Sequence, residues 1–234
     1  MKKSIVNKMG KYLIPTTAAG LVLCASTAFG SLATVNNGAG DISLSGDVDA
    51  NADATGGGSP LASTAATAYT YDGGADTGTL ASYVYGVGVD SANTLGGLTF
   101  VYVLTVNANP GLLLGELQIG STSSQSYWGS TVEMGYGTGT AVAPATGSLN
   151  LDSILNFKWS PESTTAGTYY LVVGTAIKTY ELSTSTVQDG GASPNITILA
   201  PAAVPEASTV MAGALMLLPL GIGAVRALRK ERTA

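Results

Sequence analysis

From Thr79 onward the apolar side chains recur with a period of two, and no stretch carries the three-to-four-residue spacing of an amphipathic helix. A period of two places successive side chains on opposite faces of an extended strand. Tyr83, Tyr85, Val87 and Val89 share one face. The turn formers Asp90-Ser91-Ala92-Asn93 and Gly96-Gly97 follow, and Leu98, Phe100, Tyr102, Leu104 and Val106 then share another face. The alternates Val101 and Val103 are apolar too, so this strand is expected to be buried on both sides. Asn109-Pro110-Gly111 turns the chain. Shorter runs follow at Leu117–Ile119, Val132–Tyr136, Ile154–Trp159, Tyr169–Val173, Ile177–Leu182 and Ile196–Leu199, with Asp189-Gly190-Gly191 between the last two. Short strands, glycine-rich turns and no helical periodicity predict an all-β, β-sandwich-like body, and no internal repeat is visible.

Charge divides the chain into parts. Of its ten basic residues, Lys2, Lys3, Lys8 and Lys11 lie at the start, and Arg226, Arg229, Lys230 and Arg232 at the end. Between Ser31 and Val204 there are thirteen acidic residues against only Lys158 and Lys178. Such a body repels phosphate backbones, which proteins bind by neutralising them with Lys and Arg, so nucleic acid is not an expected partner.

The N-terminus has the layout of a signal peptide: a basic start, an apolar stretch through Leu21-Val22-Leu23, and small residues at Ala28 and Gly30. Cleavage is expected between Gly30 and Ser31, with Ala33 as the second choice. Leu23 is too bulky for the small position a lipobox needs before Cys24. Cys24 is the only cysteine, so a chain cleaved after Gly30 has neither thiol nor disulfide and must fold on its hydrophobic core.

At the other end, Val204-Pro205-Glu206-Ala207-Ser208 leads into an uncharged run from Ala207 to Val225, and the basic cluster Arg226, Arg229, Lys230, Arg232 closes it. Nineteen helical residues rise roughly 28 Å, close to the ~30 Å hydrocarbon layer. The basic flanks at both ends stay cytoplasmic by the positive-inside rule, which puts everything between them outside. This tripartite tail resembles the PEP-CTERM sorting signal, although Ala207 stands where that family usually has a second proline. The resemblance implies signal peptidase and an exosortase-like enzyme as processing partners. It also implies a membrane-anchored precursor held through the C-terminal helix, and a destination at the cell-envelope surface or in the extracellular matrix. Gly78-Thr79-Leu80, Leu95-Gly96-Gly97-Leu98-Thr99-Phe100 and Gly167-Thr168-Tyr169 are similar to a β-rich, uncharacterised group of PEP-CTERM proteins, which brings no activity with it. The expected division is a signal peptide over 1–30, an acidic glycine-rich lead-in over 31–60, a β-sandwich body over 61–200, and a sorting segment over 201–234 whose transmembrane helix is 207–225.

Catalytic chemistry is sparse. The chain has no histidine, and its cysteine lies in the segment expected to be removed, so Ser–His and Cys–His arrangements lack their parts and zinc lacks its commonest ligands. No catalytic residue, metal or cofactor is assigned, and the body is expected not to be an enzyme. The alternating oxygens of Asp47, Asp49 and Asn51 suit calcium, but Ala52 and Gly58 stand where a calcium loop needs glycine and glutamate. Two carboxylates among Glu116, Glu133, Asp152, Glu162 and Glu181 would suffice for glycoside hydrolysis if the fold paired them in a cleft. Tyr127 and Trp128, in a Ser/Gly-rich loop, are candidate glycan contacts, with Trp159 as a second tryptophan at a strand end; packing in the core is the competing reading for both. Asn195-Ile196-Thr197 fits a glycosylation sequon by composition alone, and in a strand it is expected to be incidental. The leading expectation is an exported structural or adhesive protein. A carbohydrate-binding module is the alternative, and a carboxylate-dependent hydrolase the third.

Overall fold

The computed structural model describes residues 31–44, 47–48, 59–71, 76–88, 92–109, 112–120, 127–137, 139–150, 153–189 and 191–202. These contain no helix and fifteen strands: β1 (Ala33–Asn36), β2 (Ile42–Ser43), β3 (Asp47–Val48), β4 (Ala62–Ser63), β5 (Thr67–Tyr71), β6 (Asp76–Tyr85), β7 (Thr99–Val106), β8 (Leu114–Ile119), β9 (Thr131–Gly137), β10 (Thr146–Asn150), β11 (Ile154–Ser163), β12 (Gly167–Gly174), β13 (Tyr180–Asp189), β14 (Gly191–Ala192) and β15 (Ile196–Pro201). An eight-stranded sheet runs β1-β9-β12-β7-β6-β4, with β3 also on β9 and β5 also on β6. A seven-stranded sheet runs β14-β13-β8-β11-β10-β2, with β15 also on β13. Every pairing is antiparallel except the two-residue contact of β3 with β9. The expectation of an all-β body holds, and the two antiparallel sheets are consistent with a β-sandwich.

Alternation sorts the side chains as the period of two requires. In the eight-stranded sheet, Leu80, Val84, Phe100, Tyr102, Leu104, Leu171, Val173 and Met134 point inward; from the other sheet Leu117, Ile119, Leu149, Leu155, Phe157, Val187 and Ile198 meet them in one core. β7 is apolar on its other face as well. There Val101 joins Leu32, Tyr85 and Val172 in a second buried cluster, so the strand is covered on both sides as expected. Tyr83 and Tyr85 belong to this outer cluster. Val87 has already left the strand and is exposed, while Val89 lies outside the described residues.

Within the segment expected as a lead-in over 31–60, the described residues 31–44 join the two sheets. Val35 on β1 is fully buried in the core, β1 pairs with β9, and β2 pairs with β10, so the chain crosses from one sheet to the other within its first described residues. Gly38, at φ 71°, makes that crossing turn, and its N–H donates to Leu149 O at 3.0 Å. The run expected at Ile177–Leu182 also shifts. β13 begins only at Tyr180 and continues through Ser183-Thr184-Ser185-Thr186 to Asp189. A hydroxyl-rich strand carries no apolar alternation, and its inward-facing Ser183 and Ser185 are nonetheless buried.

The body has two distinct ends. Tyr85, Thr99 and Gly174 lie at one end of the eight-stranded sheet. Trp128 packs edge-on against Phe100 at 5.6 Å, and Leu98 N–H donates to Ile177 O at 2.8 Å, which brings the start of β13 to the same end. Pro201 pairs with Tyr180, and Ala202 N–H donates to Thr179 O, so the chain leaves the fold here, at what we call the exit end. Val106, Gly167, Leu114 and Gln188 mark the far end.

Candidate functional site

Four strands of the seven-stranded sheet set one polar row across its outer face. In register, Thr146 on β10 lies beside Lys158 on β11, Lys158 beside Glu116 on β8, and Glu116 beside Gln188 on β13. Residues two positions away fall on the same face, giving a second row of Ser148, Asn156, Gln118 and Thr186. Gln188 Nε2 donates to Gln118 Oε1 at 3.0 Å, and Thr186 Oγ1 donates to the same oxygen at 3.3 Å. Ser148 Oγ and Asn156 Oδ1 are buried with no hydrogen-bond partner among the described residues.

Towards the far end the first row opens into a groove of about 440 Å³. Asp41, Glu116 and Glu162 bring three carboxyl groups to it, Lys158 one cation, and Thr146 and Gln188 neutral polar groups. Lys158 Nζ donates to both oxygens of Asp41, at 2.8 and 3.1 Å. Glu162 reaches the groove because the pairing of β11 with β8 slips between Lys158 and Ser163. Gly115 leaves room beneath it: a Cβ there would stand 3.2 Å from Gln188 O and 3.5 Å from Glu162 Oε1. Burial pushes the Glu116 carboxyl above the usual glutamate value; the Lys158 ammonium pulls it back, and Asp41 pushes it up again. Lys158 is thus shared, bonded to Asp41 and facing Glu116 across the strands.

Of the carboxylates singled out in the sequence, the fold brings together Glu116 and Glu162. Glu133 lies elsewhere, buried on the outer face of the eight-stranded sheet, where it accepts Thr94 N–H at 2.7 Å and the Thr94 hydroxyl. Its role is to clamp the loop before β7. Glu181 is exposed near the exit end, and Asp152 lies outside the described residues. Asp41 and Lys158 were missed as site residues. Lys158 carried a signal, being one of two cations in the body; Asp41 carried none, since only the pairing of β2 with β10 brings it near.

The aromatic pair is split. Trp128 is 0% exposed, so it offers no surface to a sugar ring and is a core residue, whereas Tyr127 is 41% exposed at the exit end, away from the groove. The apolar indole lies inward, edge-on to Phe100, while the Tyr127 ring faces water. Trp159 is core as well, edge-on to Tyr169 at 5.5 Å, with its Nε1–H donating to Val142 O. Asn195 and Thr197 are both exposed around the start of β15, with Ile196 buried between them. Of Asp47, Asp49 and Asn51, whose oxygens suit calcium, only the Asp47 backbone is described, and no cluster of three metal-binding side chains occurs among the described residues. Gly30, the sorting residues Val204, Pro205, Glu206, Ala207 and Ser208, and the basic residues Arg226, Arg229, Lys230 and Arg232 lie outside the described residues, while Ser31 is exposed at their start. No described helix is long and apolar enough to cross a membrane.

Comparison with known families, with curated proteins and with solved structures gives no match.

Proposed function

We propose that this chain is an exported, non-enzymatic β-sandwich module of the cell surface or extracellular matrix, delivered and processed through its PEP-CTERM-like tail. The observation that carries the reading is the arrangement at 204–232, a Pro-Glu motif, a span-length apolar run and a basic stop, joined to an acidic, cysteine-free body. Its contact surface is the groove at the far end. Carboxylates, a lysine and the Gln188 amide in a shallow cleft suit the hydroxyl groups of a polysaccharide, and the role is adhesive. Mass spectrometry of the mature protein tests the delivery: the expected N-terminus is Ser31, and the expected product lacks Arg226–Arg232. A mature chain that keeps those arginines refutes processing.

One observation favours a second reading. Glu116 and Glu162 share the groove, and the raised proton affinity of Glu116 suits a general acid, as a carboxylate-dependent glycoside hydrolase requires. Incubation with extracellular polysaccharide separates the two. Retention without new reducing ends, weakened by Lys158→Ala, supports adhesion; reducing ends that disappear in Glu116→Gln support hydrolysis.

A further inference from the structure

Six large hydrophobic side chains are exposed among the described residues, and they are not scattered. Leu61 N–H donates to Val84 O, and Val87 follows β6 by two residues, so both stand at the exit end of the eight-stranded sheet. Tyr180 and Leu182 share the outer face at the start of β13, opposite Pro201 and Leu199 of β15. Tyr127 N–H donates to Pro201 O at 3.1 Å. Only Val142 lies at the far end, near Trp159. Isolated apolar residues on a surface need no explanation, but five of six gathered around one end of a sandwich do.

The chain leaves the fold at this end. From Ala202 to Ala207, where the uncharged run begins, there are five residues, which extend at most about 17 Å. The headgroup layer on each side of a bilayer is roughly 5–8 Å deep. An uncleaved precursor therefore keeps its exit end within reach of the membrane surface. Tyrosine favours that boundary, with its ring in the apolar side and its hydroxyl in water. Lys178 is exposed two residues before Tyr180, the first residue of β13 and the partner of Pro201, and its stem suits the same boundary with its ammonium among phosphates. The three carboxylates of the groove lie at the opposite end.

We propose that the exit end, through Leu61, Val87, Tyr127, Tyr180 and Leu182, rests on the outer surface of the lipid bilayer while the tail is uncleaved, holding the groove away from the membrane. The proposal depends on the reading of 207–225 as a membrane span. The test uses the full chain, with Cys24→Ser, inserted in phosphatidylethanolamine–phosphatidylglycerol vesicles. Leu182→Cys, Val87→Cys or, as the far-end reference, Thr164→Cys carries a polarity-sensitive fluorophore. All three positions are exposed, so labelling leaves the core intact. Lipids with a quencher high on the acyl chain should quench the Leu182→Cys and Val87→Cys labels several-fold more than the Thr164→Cys label. Equal quenching at all three in chain that resists alkaline carbonate overturns the proposal and leaves the span standing. Labels at 182 and 87 shielded from aqueous iodide yet unquenched by lipid mean that a second copy or another protein covers the face, which also overturns it. Release of the chain by carbonate overturns the span itself, and the proposal with it.

Discussion

Two small side-chain arrangements carry consequences that a substitution can expose. The outer face of the eight-stranded sheet carries Tyr85, Thr99, Gly174 and Glu133 side by side, and Asn93 lies over Gly174. Asn93 Nδ2 donates to Leu98 O at 3.0 Å and Thr99 Oγ1 at 3.1 Å, while its Oδ1 accepts Leu95 N–H. A Cβ at Gly174 would stand 2.8 Å from Asn93 Cγ. Gly174→Ala should therefore destabilise the body by about 1–3 kcal/mol, as overpacking does. Chemical denaturation of Gly174→Ala, Asn93→Ala and the double variant should show the pair less destabilised than the sum, because Asn93→Ala removes the atoms that clash. At the groove, the raised Glu116 value means that the folded state holds its proton more tightly than the unfolded chain. Its contribution is fully present below 4.5, the ordinary value of the group, and is lost as pH rises through the folded value. Glu116→Gln should accordingly melt higher than the parent at neutral pH and lose that advantage in acid, as thermal unfolding across pH would show.

At the scale of elements, β15 is one of the edge strands: among the described residues it pairs in register with β13 alone. An unpaired edge invites pairing with another chain. Here the other sheet closes it: Ser82 Oγ accepts Leu199 N–H at 2.8 Å, and Tyr102 Oη donates to Leu199 O at 2.8 Å. Ser82 and Tyr102 are cross-strand partners, so one row of the eight-stranded sheet satisfies both backbone groups of one residue in the seven-stranded sheet. Ser82→Ala and Tyr102→Phe should each cost about 1–3 kcal/mol by orphaning a buried backbone group. Hydrogen exchange at the Leu199 amide should accelerate in Ser82→Ala more than exchange in β7. A similar substitution of side chain for ladder occurs where β4 gives way to β5 along β6: Thr64 Oγ1 accepts Ser82 N–H at 3.0 Å and carries the edge across the break. Gly78 has its own reason on that edge. Tyr69 lies over it, donating to Thr105 O at 3.0 Å, where any Cβ would collide with the ring.

For the whole molecule, tyrosines tie the stability to alkaline pH. Burial raises the proton affinity of Tyr69, Tyr85, Tyr102 and Tyr169 above the usual phenol value. Their stabilisation is complete below 10.0 and is lost as pH climbs through the folded values. In a spectrophotometric titration, the last tyrosinate absorbance should appear together with loss of near-ultraviolet circular dichroism; full ionisation with that signal intact contradicts the buried hydroxyls. The sequence alone determined that the body is all-β, that β7 is covered on both faces, and that Ser–His and Cys–His catalysis lack their parts. It could do so because period-two alternation and composition are local properties. Only the tertiary structure decided what depends on register. The inward serines of β13 and the strands β1 and β2 carry little apolar pattern, and their place follows from neighbours distant in the chain. Trp128 and Tyr127, alike in sequence, part company because one faces Phe100 and the other water. Asp41 and Lys158 are 117 residues apart, and nothing local to either foretells that two strands of one sheet bring them to 2.8 Å.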